Sequence, residues 1–141
     1  MKTVLIVDND QESRQRLSDI LDSFGLQVLS QPDAKYALSL IRKGASIDLL
    51  IIDYGLPEMD GFEFVILAKQ VCPEIPIIML TDHNEVEPYL KSMNIGVFAY
   101  LDKPVSSKEV GRVVNTALMS SLPSSLFRSA GVKAVYSAEV R

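Results

Sequence analysis

Four apolar runs of strand length mark the chain, Val4 to Val7, Leu49 to Ile52, Ile77 to Leu80 and Val97 to Leu101, with Leu26 to Leu29 a weaker fifth. The first three are apolar at every position, the pattern of strands covered on both faces. Between the runs the periodicity becomes helical. Leu17, Ile20, Leu21 and Phe24 recur at helical spacing, as do Ala34, Ala37, Leu38 and Ile41, then Phe62, Val65, Ile66 and Lys69, and finally Val110, Val113, Val114, Ala117 and Leu118. Boundary residues agree with these faces: Asn9 or Asp10 precedes the first helix and Gly25 follows it, Pro32 opens the second and Gly44 ends it, and Ser106-Ser107-Lys108-Glu109 reads as a capping box. The stretch between Thr81 and Gly96 carries Pro88 a few residues inside, which predicts a short or irregular fourth helix.

Strand and helix alternate five times, and helical crossovers join parallel strands with right-handed connections, so a doubly wound α/β sheet with five strands and five helices is predicted. Residues 1–120 are expected to form one domain. A composition break at Ser120 to Ser125 separates residues 121–141, a tail or the start of a linker. Within it Val132, Ala134, Tyr136, Ala138 and Val140 alternate as in a strand, while Val132, Val135, Tyr136 and Val140 also fit a helix. The core elements are complete by Met119, so the tail is expected to be dispensable for folding.

Composition narrows the function classes. The chain has 141 residues, 48% hydrophobic and 23% charged, which supports one self-folding globular domain rather than two. A formal net charge of -4 and the lack of a basic cluster argue against direct nucleic-acid binding. No apolar run approaches the roughly 20 residues that cross a bilayer, and the first run ends at Asp8 without a cleavage pattern, so a cytoplasmic protein with no membrane contact is expected. Cys72, the single cysteine, cannot pair within the chain and is expected to be a reduced, inert core residue.

Open parallel sheets bind ligands outside the carboxyl ends of their strands. The residues at those ends are Asp8, Asp53, Thr81 and, just past the last run, Lys103. Taken singly each has an ordinary explanation as cap, turn residue, β-former or solvated charge. Four of them on one rim place two carboxylates, a hydroxyl and an ammonium around a common point. Carboxylates gather a hard divalent cation, and a hydroxyl with an ammonium suits phosphoryl oxygens.

The segments Val4 to Asp8, Leu49 to Gly61, Ile78 to Thr81 and Tyr100 to Pro104 resemble, in order and separation, the signature blocks of response-regulator receiver domains of two-component signal transduction. The resemblance covers roughly residues 2–119 and implies the flavodoxin-like strand order 2-1-3-4-5. It implies that Asp53 is the phosphoacceptor, taking a phosphoryl group from a sensor histidine kinase, a phosphotransfer protein or a small phosphodonor with Mg²⁺ bound. By the same likeness Asp8, Asn9, Asp53 and the Gly55 carbonyl would hold the metal, Lys103 and Thr81 would bind the phosphoryl group, and Tyr100 would act as a switch. Pro57 and Gly61 would shape the loop. The signal would leave through the face made by the last strand and its two flanking helices, where a homodimer could also form. Such a domain is a signalling module and not an enzyme with turnover.

Two positions depart from the family pattern. Asn9 stands where a second acid usually follows Asp8, which weakens the expected metal site unless Asp10 or Asp82 compensates. Asp82 and His83, the single histidine, follow Thr81 where a small residue is usual, and both are treated as modulators. These departures keep open a pseudo-receiver that docks partners with weak phosphorylation. A haloacid-dehalogenase-like phosphatase using Asp8 is a further alternative, since Val7-Asp8-Asn9-Asp10 fits that family's short motif, but it leaves Asp53 and the loop to Gly61 unexplained.

Overall fold

A computed structural model of the protein describes residues 1–82 and 95–119. Among these residues the chain forms strands β1 (Thr3–Val7), β2 (Gln27–Gln31), β3 (Leu49–Asp53), β4 (Ile77–Thr81) and β5 (Ala99–Asp102). The helices are α1 (Gln11–Ser23), α2 (Ala34–Arg42), α3 (Gly61–Val71) and α4 (Ser107–Leu118). The strands make one sheet in the order β2-β1-β3-β4-β5, every pairing parallel, as expected. The expected helix around Pro88, His83 and the tail lie outside the described residues.

Side-chain alternation along the strands divides the core into two layers. Val4, Ile6, Leu49, Ile51, Ile78, Leu80, Ala99 and Leu101 pack with Leu17 and Leu21 of α1 and Val110, Val113, Val114 and Ala117 of α4. Leu5, Val7, Leu50, Ile52, Ile77 and Met79 face α2 and α3. The interior strands are therefore buried on both sides: β1 and β4 throughout, and β3 until Asp53.

Each described helix follows a strand closely and starts at the carboxyl rim of the sheet. The caps there are side chains that accept a backbone N–H: Asp10 from Glu12, Asp33 from Tyr36, Asp60 from Glu63 and Ser106 from Glu109. Gly25 and Gly44 end α1 and α2 with φ of 79° and 87°, where a side chain would be strained.

Several sequence expectations are corrected. Strand β2 runs to Gln31 instead of ending at Leu29, because its edge position is set by backbone pairing with β1 up to Val7↔Gln31 and not by apolar side chains. Strand β5 starts at Ala99; Val97 and Phe98 are buried but precede the strand. In α3, Ile66 is 48% exposed and Phe64 is fully buried in its stead. The inward face is the one that carries Gly61, which approaches the Tyr54 backbone too closely for a side chain, so Gly61, Phe64, Val65 and Ala68 turn inward and Ile66 turns out. Phe24 is the C-cap of α1 and 46% exposed, its ring lying against Gly111. Pro32 stands one residue outside the Asp33 cap. Cys72 is a half-buried C-cap of α3, not a core residue.

A Cβ at Gly61 would lie 2.8 Å from the Tyr54 Cα and 3.0 Å from the Met79 methyl. Backbone cannot yield as a flexible side chain can, so Gly61→Ala is expected to cost about 1–3 kcal/mol of stability. Urea denaturation measures it; a loss below about 0.5 kcal/mol would mean that the β3–α3 loop relaxes freely.

Candidate functional site

Strands β1 and β3 are adjacent and parallel, with Val7 opposite Ile52, so the residues that end them come out side by side on the rim. Asp8 follows Ile6 in side-chain parity and Asp53 follows Ile51, which directs both carboxylates to the α1/α4 layer. The segment after β5 delivers Lys103 to the same point. Its Nζ lies 3.1 Å from Asp8 Oδ2 and 3.3 Å from Asp53 Oδ2. One ammonium thus bridges two carboxylates, with side-chain exposures of 0% for Asp8, 13% for Asp53 and 18% for Lys103.

A fully buried carboxylate is stable only when its lone pairs are satisfied. Asp8 Oδ1 accepts from the Asp10 backbone N–H at 3.0 Å, and Oδ2 accepts from the Ser13 hydroxyl at 2.8 Å as well as from Lys103. Arg14 Nη1 donates to the Asp8 carbonyl at 2.8 Å, so α1 grips the end of β1 from two positions. The segment beyond Lys103 is held by Arg16, whose Nε and Nη2 donate to the Val105 carbonyl at 3.2 and 3.1 Å.

The electrostatics follow from this crowding. Burial pushes the Asp53 carboxyl up; the Lys103 ammonium and a Gly55 backbone N–H hold it down, Asp8 pushes it further up, and the net direction is upward. Burial alone would lower the Lys103 ammonium, but Asp53 and Asp8 outweigh it and the net direction is upward.

The other sequence candidates are placed differently. Thr81 is 2% exposed at the end of β4, and its hydroxyl donates to Asp102 Oδ1 at 2.8 Å. Tyr100 is half-buried on β5, opposite Met79. Asn9 and Asp82 are exposed, and Asp10 serves as the α1 cap. Gly55 presents its N–H to Asp53. An open cleft of about 1500 Å³ beside the site is lined by Asp10, Ser13, Arg16, Asp82, Lys103 and Val105, among others.

Ser13 and Asp102 are the residues that sequence reasoning passed over. Ser13 is the third residue of α1, one turn in from the rim, and a hydroxyl there is a weak signal that gains meaning only once Asp8 is known to be buried. Asp102 stands inside a quoted signature block, yet its partner is fixed by the β4–β5 register, Thr81↔Asp102.

The donor set suits a small hard cation. Mg²⁺ is commonly held by one or two carboxylates and keeps several waters. Asp8 and Asp53 both reach one point, marked by the Lys103 nitrogen, and Asn9, next to Asp8 in the chain, is exposed. Among the described residues there is no cluster of three or more His, Cys, Asp or Glu that could hold a metal by protein ligands alone. No helix among them is long and apolar enough to cross a membrane.

Comparison with known proteins gives one consistent result. Residues 4–115 match the family model described as the response regulator receiver domain. The chain is 31% identical over 121 residues to the DNA-binding transcriptional regulator NtrC of Azospirillum brasilense, covering 86% of this chain and 25% of that protein. It is 34% identical to a 14.6 kDa protein of Leptolyngbya boryana, covering 85% of this chain and 92% of the relative. Among solved structures, a CheY-like response regulator receiver domain protein from Methanospirillum hungatei superposes with a TM-score of 0.76 at 30% identity, covering 84% of this chain and 94% of that one. The chain thus spans about a quarter of the first of these relatives and nearly all of the second.

Proposed function

This chain belongs to the response regulator receiver domain family, the modules through which two-component regulators are switched by phosphorylation, and we propose that Asp53 is its phosphoacceptor. The observation that carries this reading is the Lys103 bridge: a carboxylate at the mouth of β3 faces a cation that also holds a second, fully buried carboxylate. Asp53 Oδ would attack phosphorus and form the new P–O bond. The P–N bond of a phosphohistidine, or the bridging P–O bond of acetyl phosphate, would break with its electron pair going to the leaving atom, and an acyl phosphate would remain.

Each residue has a physical task. Lys103 would pair with the phosphoryl oxygens once Asp53 is phosphorylated, since its ammonium already stands at the carboxylate. Asp8 fixes the position of Lys103 and, with Asp53, the Gly55 carbonyl and the Asn9 side chain, would hold Mg²⁺. When bound, the cation neutralises charge that builds between the entering anions. Thr81 would donate its hydroxyl to a phosphoryl oxygen, and Tyr100 would follow it inward, changing the face around β5. The donor would be a histidine kinase or phosphotransfer protein, and the domain would work stoichiometrically, without sustained turnover. The haloacid-dehalogenase alternative is disfavoured by Asp8 itself, whose carboxylate is fully buried and taken up by three donors.

Intact-mass measurement after incubation with acetyl phosphate and Mg²⁺ tests the assignment. One added phosphoryl group, trapped by borohydride at Asp53, is expected; labelling at Asp8 would refute it.

Asn9 supplies a dipole where a second charge could stand. Two unit charges about 4 Å apart interact by about 4 kcal/mol at an effective dielectric near 20, before desolvation is subtracted. Asn9 is exposed, so much of that is screened, and Asn9→Asp is expected to tighten Mg²⁺ binding about tenfold while lowering stability in the metal-free protein. A magnesium titration at fixed salt checks this. Equal affinities would mean that Asp10 or Asp82 already supplies the missing charge.

A further inference from the structure

Thr81 and Asp102 are cross-strand partners at the ends of β4 and β5, and the Lys103 N–H donates to the Thr81 carbonyl at 2.9 Å. By strand alternation Thr81 shares a sheet face with Met79, and Asp102 shares one with Tyr100, whose register partner is Met79. Asp53 belongs by the same rule to the opposite face, with Ile51. In the resting structure the Thr81 hydroxyl is committed to Asp102 Oδ1, 2.8 Å away, and not to the phosphoacceptor.

A hydroxyl carries one proton and can donate it to one acceptor at a time. We infer that Asp102 is a positioning residue that holds the Thr81 hydroxyl in the resting state and competes for it with the phosphoryl group on Asp53. This rests on the assignment of Asp53 as phosphoacceptor. A carboxylate is a stronger acceptor than a neutral oxygen, so the hold is more than incidental packing. A phosphoryl group, with its greater charge, accepts the hydrogen bond in turn. The adjacency of Asp102 to Lys103 places the competitor for Thr81 next to the cation that meets the phosphoryl group, so both groups that leave their resting partners do so at one strand end.

The latch has a signature that simple surface charge lacks. Removing Asp102 should favour the phosphorylated geometry only where Thr81 still has a hydroxyl to release. Beryllofluoride with Mg²⁺, a non-covalent phosphoryl mimic, is titrated against the full chain and against Asp102→Ala, Asp102→Asn, Thr81→Val and the double variant Thr81→Val/Asp102→Ala. Asp102→Ala is expected to bind the mimic about tenfold more tightly, and Asp102→Asn, which keeps an acceptor, to fall between it and the parent. In the Thr81→Val background the loss of Asp102 is expected to change affinity by less than about twofold. Equal tightening in both backgrounds would reduce Asp102 to a repelling charge and overturn the latch. Beryllofluoride bound by none of the proteins would instead overturn the Asp53 assignment, and the latch with it. Three-bond couplings give a reading that needs no mimic: Thr81 holds one χ1 rotamer in the parent and averages among rotamers in Asp102→Ala, and an unchanged rotamer would overturn the proposal.

Discussion

Asp53→Asn is expected to take up no phosphoryl group at the end of β3, and at neutral pH to be no less heat-stable than the parent. The first outcome follows from nucleophilicity, because an amide oxygen does not displace a phosphodonor's leaving group. The second follows from the direction in which the fold moves Asp53. Its carboxyl lies above the ordinary 3.8, with burial the largest cause, so the folded protein binds this proton more tightly than the unfolded chain does. A raised value contributes stability below 3.8 that is lost as pH rises through the folded value. Above that window the ionised carboxylate costs stability, and the neutral isostere does not incur the cost. Thermal melts of both proteins between about pH 3 and pH 8 should show the parent losing ground to the variant as Asp53 ionises. A variant markedly less stable than the parent at pH 7 would mean that the bond to Lys103 outweighs burial.

Lys103→Met is expected to have the opposite character, with roughly 2–3 kcal/mol of stability lost in metal-free buffer and much of it regained with Mg²⁺. Removing one member of a buried ion pair leaves its partner uncompensated, at a cost of about 3–5 kcal/mol where burial is complete. Lys103 retains 18% side-chain exposure, which places the expectation somewhat lower. Asp8 is the residue that suffers, since it is fully buried and would face Asp53 with no cation between them. The folded Lys103 value is raised, so its contribution is fully present below 10.5 and fades only as pH rises through the folded value. At low pH the deficit of the variant shrinks, because protonating one carboxyl removes the repulsion. Calorimetry with and without Mg²⁺ decides the matter. A variant that melts with the parent, or that gains nothing from the metal, would show that the two carboxylates do not share one cation position.

The parts of this fold that could be read from sequence are those where one local signal sufficed. Strands β1, β3 and β4 are interior, so both faces of each had to be apolar and the run itself announced them. The polar residue that ends each run, Asp8, Asp53 or Thr81, then marked the rim. Strand β2 is an edge, its burial alternates weakly, and its extent is decided by hydrogen bonds to β1 that no side chain reports. Ile66 was misplaced because α3 carries apolar residues on more than one side, and only the close contact between Gly61 and Tyr54 selects which side faces in. In the site, Lys103 could be anticipated from its strand, whereas the tasks of Ser13 and Asp102 depend on where α1 meets β1 and on the register of β5. Those are relations between distant segments, and periodicity within one segment does not contain them.

The capping residues of the four described helices also shape how a ligand arrives. A helix N-terminus carries about half a positive charge, and four such ends gather on the rim where the site opens. Three of them are headed by Asp10, Asp33 and Asp60, each setting a full negative charge against that half, and only α4 is headed by the uncharged Ser106. With Asp82 also exposed beside Lys103, a small anionic donor meets acidic side chains at three of the four helix starts, and the Ser106–Lys103 side, with Arg16 also lining the cleft, is its least repulsive approach. Salt screens such repulsion over a Debye length of about 8–10 Å, so the rate of phosphorylation by acetyl phosphate is expected to rise with ionic strength, the reverse of ordinary electrostatic steering.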